Sequence, residues 1–217
     1  MDLPQIGALG ELEKILSSFL RKKERVLLCF PGPSDPVGKA AAGFVESAGG
    51  IPVFWGEDLR WKTLLSKGFR ERCGTVIGPP HIVLGLSKLS RRSGIPLYVR
   101  NAVLLGDARD DQILRNIRTG LDCNVRCWIE GGSSAFREDP KVSDLLRELC
   151  RWTTILDLKL EQTGPGLSLE LVTFPGEKLP KLPSFARLVL RDLDLDRDVP
   201  LDIPLQWKAG FFSHDDH

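Results

Sequence analysis

Apolar residues at Ile6, Leu9, Leu12, Leu16 and Leu20 share one helical face and predict an amphipathic opening helix over Gln5 to Leu20. A charged turn, Arg21 to Arg25, then leads into the wholly apolar run Val26 to Phe30. Short apolar runs suit strands covered on both faces, as in a parallel sheet. Pro31-Gly32-Pro33 stops the run. The alternation then repeats. Val37, Ala40, Ala41, Phe44, Val45 and Ala48 form a helical stripe closed by Gly49-Gly50, and Ile51 to Phe54 reads as a strand. Trp61, Leu64, Leu65 and Phe69 mark a helix, Gly74 to Ile77 a strand, and Ile82, Val83, Leu86 and Leu89 a helix opened by Pro79-Pro80. Proline costs little in a first turn, where its missing N–H would have no intrahelical partner. Leu97 to Leu105 is strand-like, Ile113 to Leu121 helical, and Cys123 to Ile129 strand-like again. Asp139-Pro140 then caps and starts a helix carrying Val142, Leu145, Leu146 and Leu149.

Strands alternating with helices in this way predict βαβ units. The fold class is α/β: a mostly parallel sheet with helices on both faces. The rhythm changes near Trp152. Ile155 to Gln162 and Leu167 to Phe174, joined by Thr163-Gly164-Pro165-Gly166, predict a hairpin. Phe185 to Arg191 supplies a third strand after a proline-spaced link, and Val199 to Phe212 a short edge strand. The expected organisation is an α/β body over residues 1–150 and a small antiparallel β lobe with a polar tail over 151–217.

Composition narrows the partners. The 217 residues carry 30 basic and 29 acidic side chains, a formal charge of +1, which offers no overall footprint for nucleic acid and no polybasic membrane anchor. No apolar run reaches the roughly 18 residues of a membrane span, and the amino terminus lacks a signal-peptide pattern. A cytoplasmic protein is expected. Five dispersed cysteines in apolar surroundings read as small buried hydrophobes.

Candidate chemistry is sparse. Gly32 to Lys39 lies between a strand and a helix, but five residues separate Gly32 from Gly38 where the phosphate loop has four, and Ala40 replaces the magnesium-binding hydroxyl. It reads as a connecting turn. Cys123 and Cys127 lack the partner pairs of a metal site, so no metal ligands are assigned. No Gly-x-Ser-x-Gly elbow is present, and no catalytic residue is assigned. His81 follows two prolines at a helix start, where the dipole favours its neutral form; it reads as turn packing or as part of a pocket wall. Ligands on open parallel sheets sit beyond the carboxyl ends of the strands. That rule points to Gly106-Asp107-Ala108 and to Glu130-Gly131-Gly132, whose small residues permit close backbone approach.

Three segments of the body carry a family likeness: Gly74 to Leu89, Val99 to Ala108 and Cys123 to Ser134. In the later part of the chain it continues through Gly166-Leu-Ser-Leu-Glu-Leu-Val, Ala186-Arg-Leu-Val-Leu and Pro204 to Gly210. In that order they resemble the amino-terminal domain of the adenylate-forming superfamily, the acyl-CoA ligases and especially the phenylacetate-CoA ligase-like branch. The resemblance implies an acyl or nucleotide pocket, with AMP or ATP as its nucleotide, lined by His81, Gly106, Asp107, Ala108, Trp128, Glu130, Gly131 and Gly132. The departures are as informative. Nothing matches the family's Ser/Thr/Gly-rich loop ending in Pro-Lys. Trp128-Ile129-Glu130-Gly131-Gly132 replaces its aromatic-Gly-x-Thr-Glu motif, and Phe211 stands where its ribose-binding aspartate would follow Gly210. The family's lysine-bearing carboxy-terminal domain does not follow either. The resemblance therefore implies a truncated, non-catalytic or accessory relative. The alternatives are one subunit of a split ligase, completed by a partner chain, and a structural homodimer or partner-interaction module.

Overall fold

A computed structural model describes residues 6–30, 32–56, 60–105, 111–128, 155–163, 166–176 and 186–196. Helix α1 (Ile6–Phe19) precedes β1 (Arg25–Leu28), followed by α2 (Pro36–Ser47), β2 (Ile51–Phe54), α3 (Trp61–Arg70) and β3 (Thr75–Gly78). Then come α4 (Pro80–Ser93), β4 (Asn101–Leu105), α5 (Asp111–Leu121) and β5 (Asn124–Trp128). Strands β6 (Ile155–Thr163), β7 (Gly166–Thr173) and β8 (Ala186–Asp192) complete the described elements.

Strands β1 to β5 form one sheet in the order β2-β1-β3-β4-β5, and every neighbouring pair is parallel. Successive side chains of a strand point to opposite faces, and the two cores follow that alternation. Val26 and Leu28 of β1, Ile77 and Val103 pack with Leu12, Leu16, Ala41 and Val45 from α1 and α2. Leu27, Val76, Ala102 and Leu104 face the other way, onto side chains of α3, α4 and α5. The expected parallel α/β body, with helices on both faces, is the observed one.

Residues 97–100 were expected to belong to β4 but precede it. Leu97 and Val99 are buried while Tyr98 and Arg100 are exposed, so the segment has a strand's alternation. It lacks a ladder because β3 starts only at Thr75 and β5 only at Asn124, leaving no strand alongside. The expected helix over 142–149 and the edge strand over 199–212 lie outside the described residues.

The lobe is mixed rather than antiparallel. β6 and β7 pair as the expected antiparallel hairpin, whereas β8 joins β7 in parallel, with Leu167 opposite Ala186 and Thr173 opposite Asp192. A parallel pair needs a crossover connection instead of a tight turn, and the proline-spaced stretch between Thr173 and Ala186 is long enough to provide one.

Lobe and body share a core. Ile155, Leu156, Leu169, Leu171, Val172 and Phe174 are buried in the same cluster as Leu84, Leu86 and Leu89 of α4. Lying between the sheet and the lobe, α4 is buried at every position from Pro80 to Ser90. Three of its buried polar side chains find acceptors inside the protein. Ser87 Oγ donates to the Leu84 carbonyl at 2.8 Å and Ser90 Oγ to that of Ile95 at 2.8 Å. Lys88 Nζ donates to the Ile155 carbonyl at 2.6 Å. A buried ammonium needs such acceptors, and this one ties the body directly to the first strand of the lobe.

Candidate functional site: the two edges of the parallel sheet

The strand order places a topological switch between β1 and β3. The chain steps outward from β1 to β2, then returns past β1 to β3. In doubly wound sheets the ligand crevice opens at the carboxyl ends of such a pair. Here the crevice is bounded by residues 29–30 and 32–35 after β1 and by Gly78, Pro79 and the start of α4.

The described residues around that crevice pack closely. A Cβ on Gly78 would lie 2.5 Å from Cys29 Cβ, and one on Gly38 would lie 2.8 Å from Phe30 Cβ and 3.3 Å from the Gly32 carbonyl oxygen. Cys29 and Phe30 are both buried. Burial pushes the Cys29 thiol far above its ordinary pKa, with Cys73 adding to the effect, so Cys29 is no nucleophile at neutral pH. Burial likewise pushes the thiols of Cys73 and Cys123 up to about 12 each. Cys29 and Cys73 are the buried hydrophobes the sequence suggested, whereas Cys123 is only partly buried.

A helix N-terminus binds phosphate through its unpaired first-turn amides. At the switch point few remain. In α2, Pro36 has no N–H; the Gly38 N–H donates to Asp35 Oδ1 at 2.6 Å and that of Lys39 to the Asp35 carbonyl at 2.8 Å. Val37 alone keeps a first-turn amide without a described partner. In α4, Pro80 again has no N–H, and the Ile82 and Val83 amides both donate to the Pro79 carbonyl at 3.1 Å. His81, the one proposed site residue whose side chain is described, is buried in this first turn. Trp128 ends β5 opposite Leu105, at the same carboxyl edge. Gly106, Asp107, Ala108, Glu130, Gly131 and Gly132 lie outside the described residues.

The amino edge of the same sheet differs. Glu24, immediately before β1, is buried. Its Oε1 accepts from Thr75 Oγ1 at 2.8 Å; its Oε2 accepts from the Arg21 N–H at 3.2 Å and pairs with Arg100 Nη2 at 2.8 Å. One carboxylate thus joins the starts of β1, β3 and β4. Gly74 makes room for it, since a Cβ there would lie 2.4 Å from Arg100 Nη2 and 2.6 Å from Glu24 Oε1. Beside this knot is a concavity of about 350 Å³, lined by Arg21, Lys22, Lys23, Arg25, Arg72 and Arg100 with Glu24 and Glu71. Arg25 pairs with Glu71. Sequence reading missed this cluster because its residues lie 79 positions apart; only the parallel pairing of β1, β3 and β4 brings the three strand starts together.

Among the described residues no group of three or more His, Cys, Asp or Glu side chains could hold a metal ion. Among the same residues, no helix is long and apolar enough to cross a membrane.

No family model and no curated protein matches the sequence. Solved structures do. A 2-hydroxyisobutyryl-CoA ligase in the postadenylation state, in complex with R3-HIB-AMP, superposes with a TM-score of 0.48 at 11% identity, covering 59% of this chain and 29% of the ligase. An open conformation of that ligase, in complex with 2-HIB-AMP and CoA, gives a TM-score of 0.47 at 11% identity, covering 55% of this chain and 28% of the ligase. The chain is distantly and partially similar in structure to a CoA ligase and spans less than a third of its length.

Proposed function

We propose that this chain is a non-catalytic, accessory relative of the adenylate-forming ligases. The observation that carries the reading is the self-capped switch point. Adenylation develops charge on a transferring phosphoryl group, and an active site must aim fixed donors at that charge. At the β1–β3 crevice, the Asp35 carboxylate already holds the Gly38 amide. It also places a negative charge where a phosphate would have to approach, and like charges repel. The replaced phosphate loop, magnesium-site glutamate and ribose aspartate support the same conclusion from the sequence. An acyl or nucleotide ligand, if the accessory role includes one, belongs at the carboxyl edge near His81, Gly106 to Ala108 and Trp128 to Gly132.

ATP–pyrophosphate exchange over a panel of aliphatic and aromatic acids tests the loss of catalysis. The purified chain is expected to show no exchange above a protein-free control; acid-dependent, saturable exchange would overturn the proposal. Calorimetric titration with AMP and with phenylacetate tests the ligand. Saturable heat supports a ligand-binding accessory, and its absence for both removes ligand binding from the reading.

A further inference from the structure

We propose that the amino-edge basin binds a small polyanion of the polyphosphate class. Six cationic side chains and two carboxylates line it, a formal excess of four positive charges. Both carboxylates are engaged, Glu24 by Arg100 and Glu71 by Arg25. Arg21, Lys22, Lys23 and Arg72 have exposed side chains and no carboxylate partner among the described residues.

Helix dipoles account for part of this arrangement. Arg21 to Lys23 follow α1 and Arg72 follows α3, and cations favour helix C-termini. Each helix end carries roughly half a negative charge, so two ends offset about one of the four and leave about three unbalanced. Converging cations repel one another, and a ligand with several closely spaced negative charges relieves that repulsion at many points at once. Arginine adds a planar fork matched to phosphate oxygens, and lysine a compact charge. The concavity is shallow and open to solvent, so charge rather than enclosure would hold a ligand there. The knot of Glu24, Thr75 and Arg100 fixes its floor, so the strand ends need not rearrange to form it. The inference is independent of the proposed function, because the basin and the switch-point crevice occupy opposite edges of the sheet.

Two lining cations permit an unusually clean test. Lys23 and Arg72 have φ of 63° and 49°, in the left-handed region that glycine adopts without strain. Asp122 shares this conformation after α5, so the backbone is a helix-ending device and not itself a sign of binding. Replacing both residues (Lys23→Gly with Arg72→Gly) removes two charges without demanding a new backbone. Inorganic triphosphate is titrated calorimetrically into the full chain at about 50 mM and about 300 mM salt. Saturable binding at one site is expected, weaker at high salt and about tenfold weaker in the double variant, with no fall in the variant's melting temperature. A second variant, Lys22→Ala, should weaken binding by a few-fold. No binding by the unaltered chain overturns the proposal, as does binding that both variants leave unchanged. A single-stranded oligonucleotide binding more than tenfold tighter than triphosphate also overturns it, since the surface would then serve a polymer.

Discussion

At the β1–β3 switch on the carboxyl edge of the parallel sheet, Asp35 turns its carboxylate onto its own helix, and the buried Cys29 and Phe30 pack against Gly78 and Gly38. At the amino edge, Glu24 is likewise buried and fully engaged, yet the side chains around it are cationic and mostly unpaired. The same parallel strands produce both ends. The difference lies in what the described loops bring: Pro33, Gly32, Pro79 and the capping Asp35 at the β1–β3 switch, basic turns at the opposite end. In a doubly wound fold the carboxyl edge is where a ligand is expected. Here the first-turn amides described in α2 and α4 are largely satisfied from within, while the opposite edge keeps charge that no described carboxylate neutralises.

Several substitutions can break this contrast. The largest effect is expected for Glu24→Ala, which leaves the buried Thr75 hydroxyl without its acceptor and Arg100 without its partner. A loss of about 2–3 kcal/mol in chemical denaturation is expected, mostly from unsatisfied buried groups; a loss below about 0.5 kcal/mol would mean Glu24 does not hold the strand starts together. Next is Gly78→Ala, whose methyl would meet Cys29 Cβ at 2.5 Å. Overpacking of this kind costs about 1–3 kcal/mol, and a neutral result would show that the crevice has room for a ligand. Asp35→Ala removes the cap on α2 and should cost about 1 kcal/mol. If Asp35 blocks anions, the same change should also let ATP or pyrophosphate bind measurably at the switch point.

The smallest effect concerns the exposed pair between Lys62 Nζ and Asp196 Oδ1, which belongs to neither edge. The hydrogen bond and charge of Lys62 hold the Asp196 carboxyl below its ordinary value of 3.8. A lowered folded-state pKa gives stability that is present above the unfolded value and lost as pH falls through the folded one. Asp196→Asn should therefore differ slightly from the unaltered chain at neutral pH, and the difference should shrink as pH falls below the ordinary carboxylate value. A difference that grows on acidification would contradict the assignment.

Much of the body was legible in the sequence because its signals are local. Runs such as Val26 to Phe30 and Thr75 to Ile77 mark strands buried on both faces, and Leu64, Leu65 and Phe69 mark a helix. Three features were not legible, each for want of a non-local fact. The order of strands, which makes β1–β3 the switch point, leaves no mark on periodicity. The parallel pairing of β8 depends on how the link after β7 travels, so residues 186–192 look the same in either orientation. Lys88 resembles any exposed helical lysine until the lobe covers α4. The candidate site divided in the same way. His81 was placed correctly at a helix start, while the basin at Glu24, Gly74 and Arg100 exists only once three distant strand ends meet.

Amide hydrogen exchange with and without saturating triphosphate compares both edges in one experiment and tests the central contrast most directly. Slowed exchange confined to residues 21–26 and 71–76, with residues 32–39 and 78–84 unchanged, is the expected result. Protection at Val37, Gly38 and His81 with none around Lys23 and Arg72 would show that the carboxyl edge still binds phosphate, and would contradict the account.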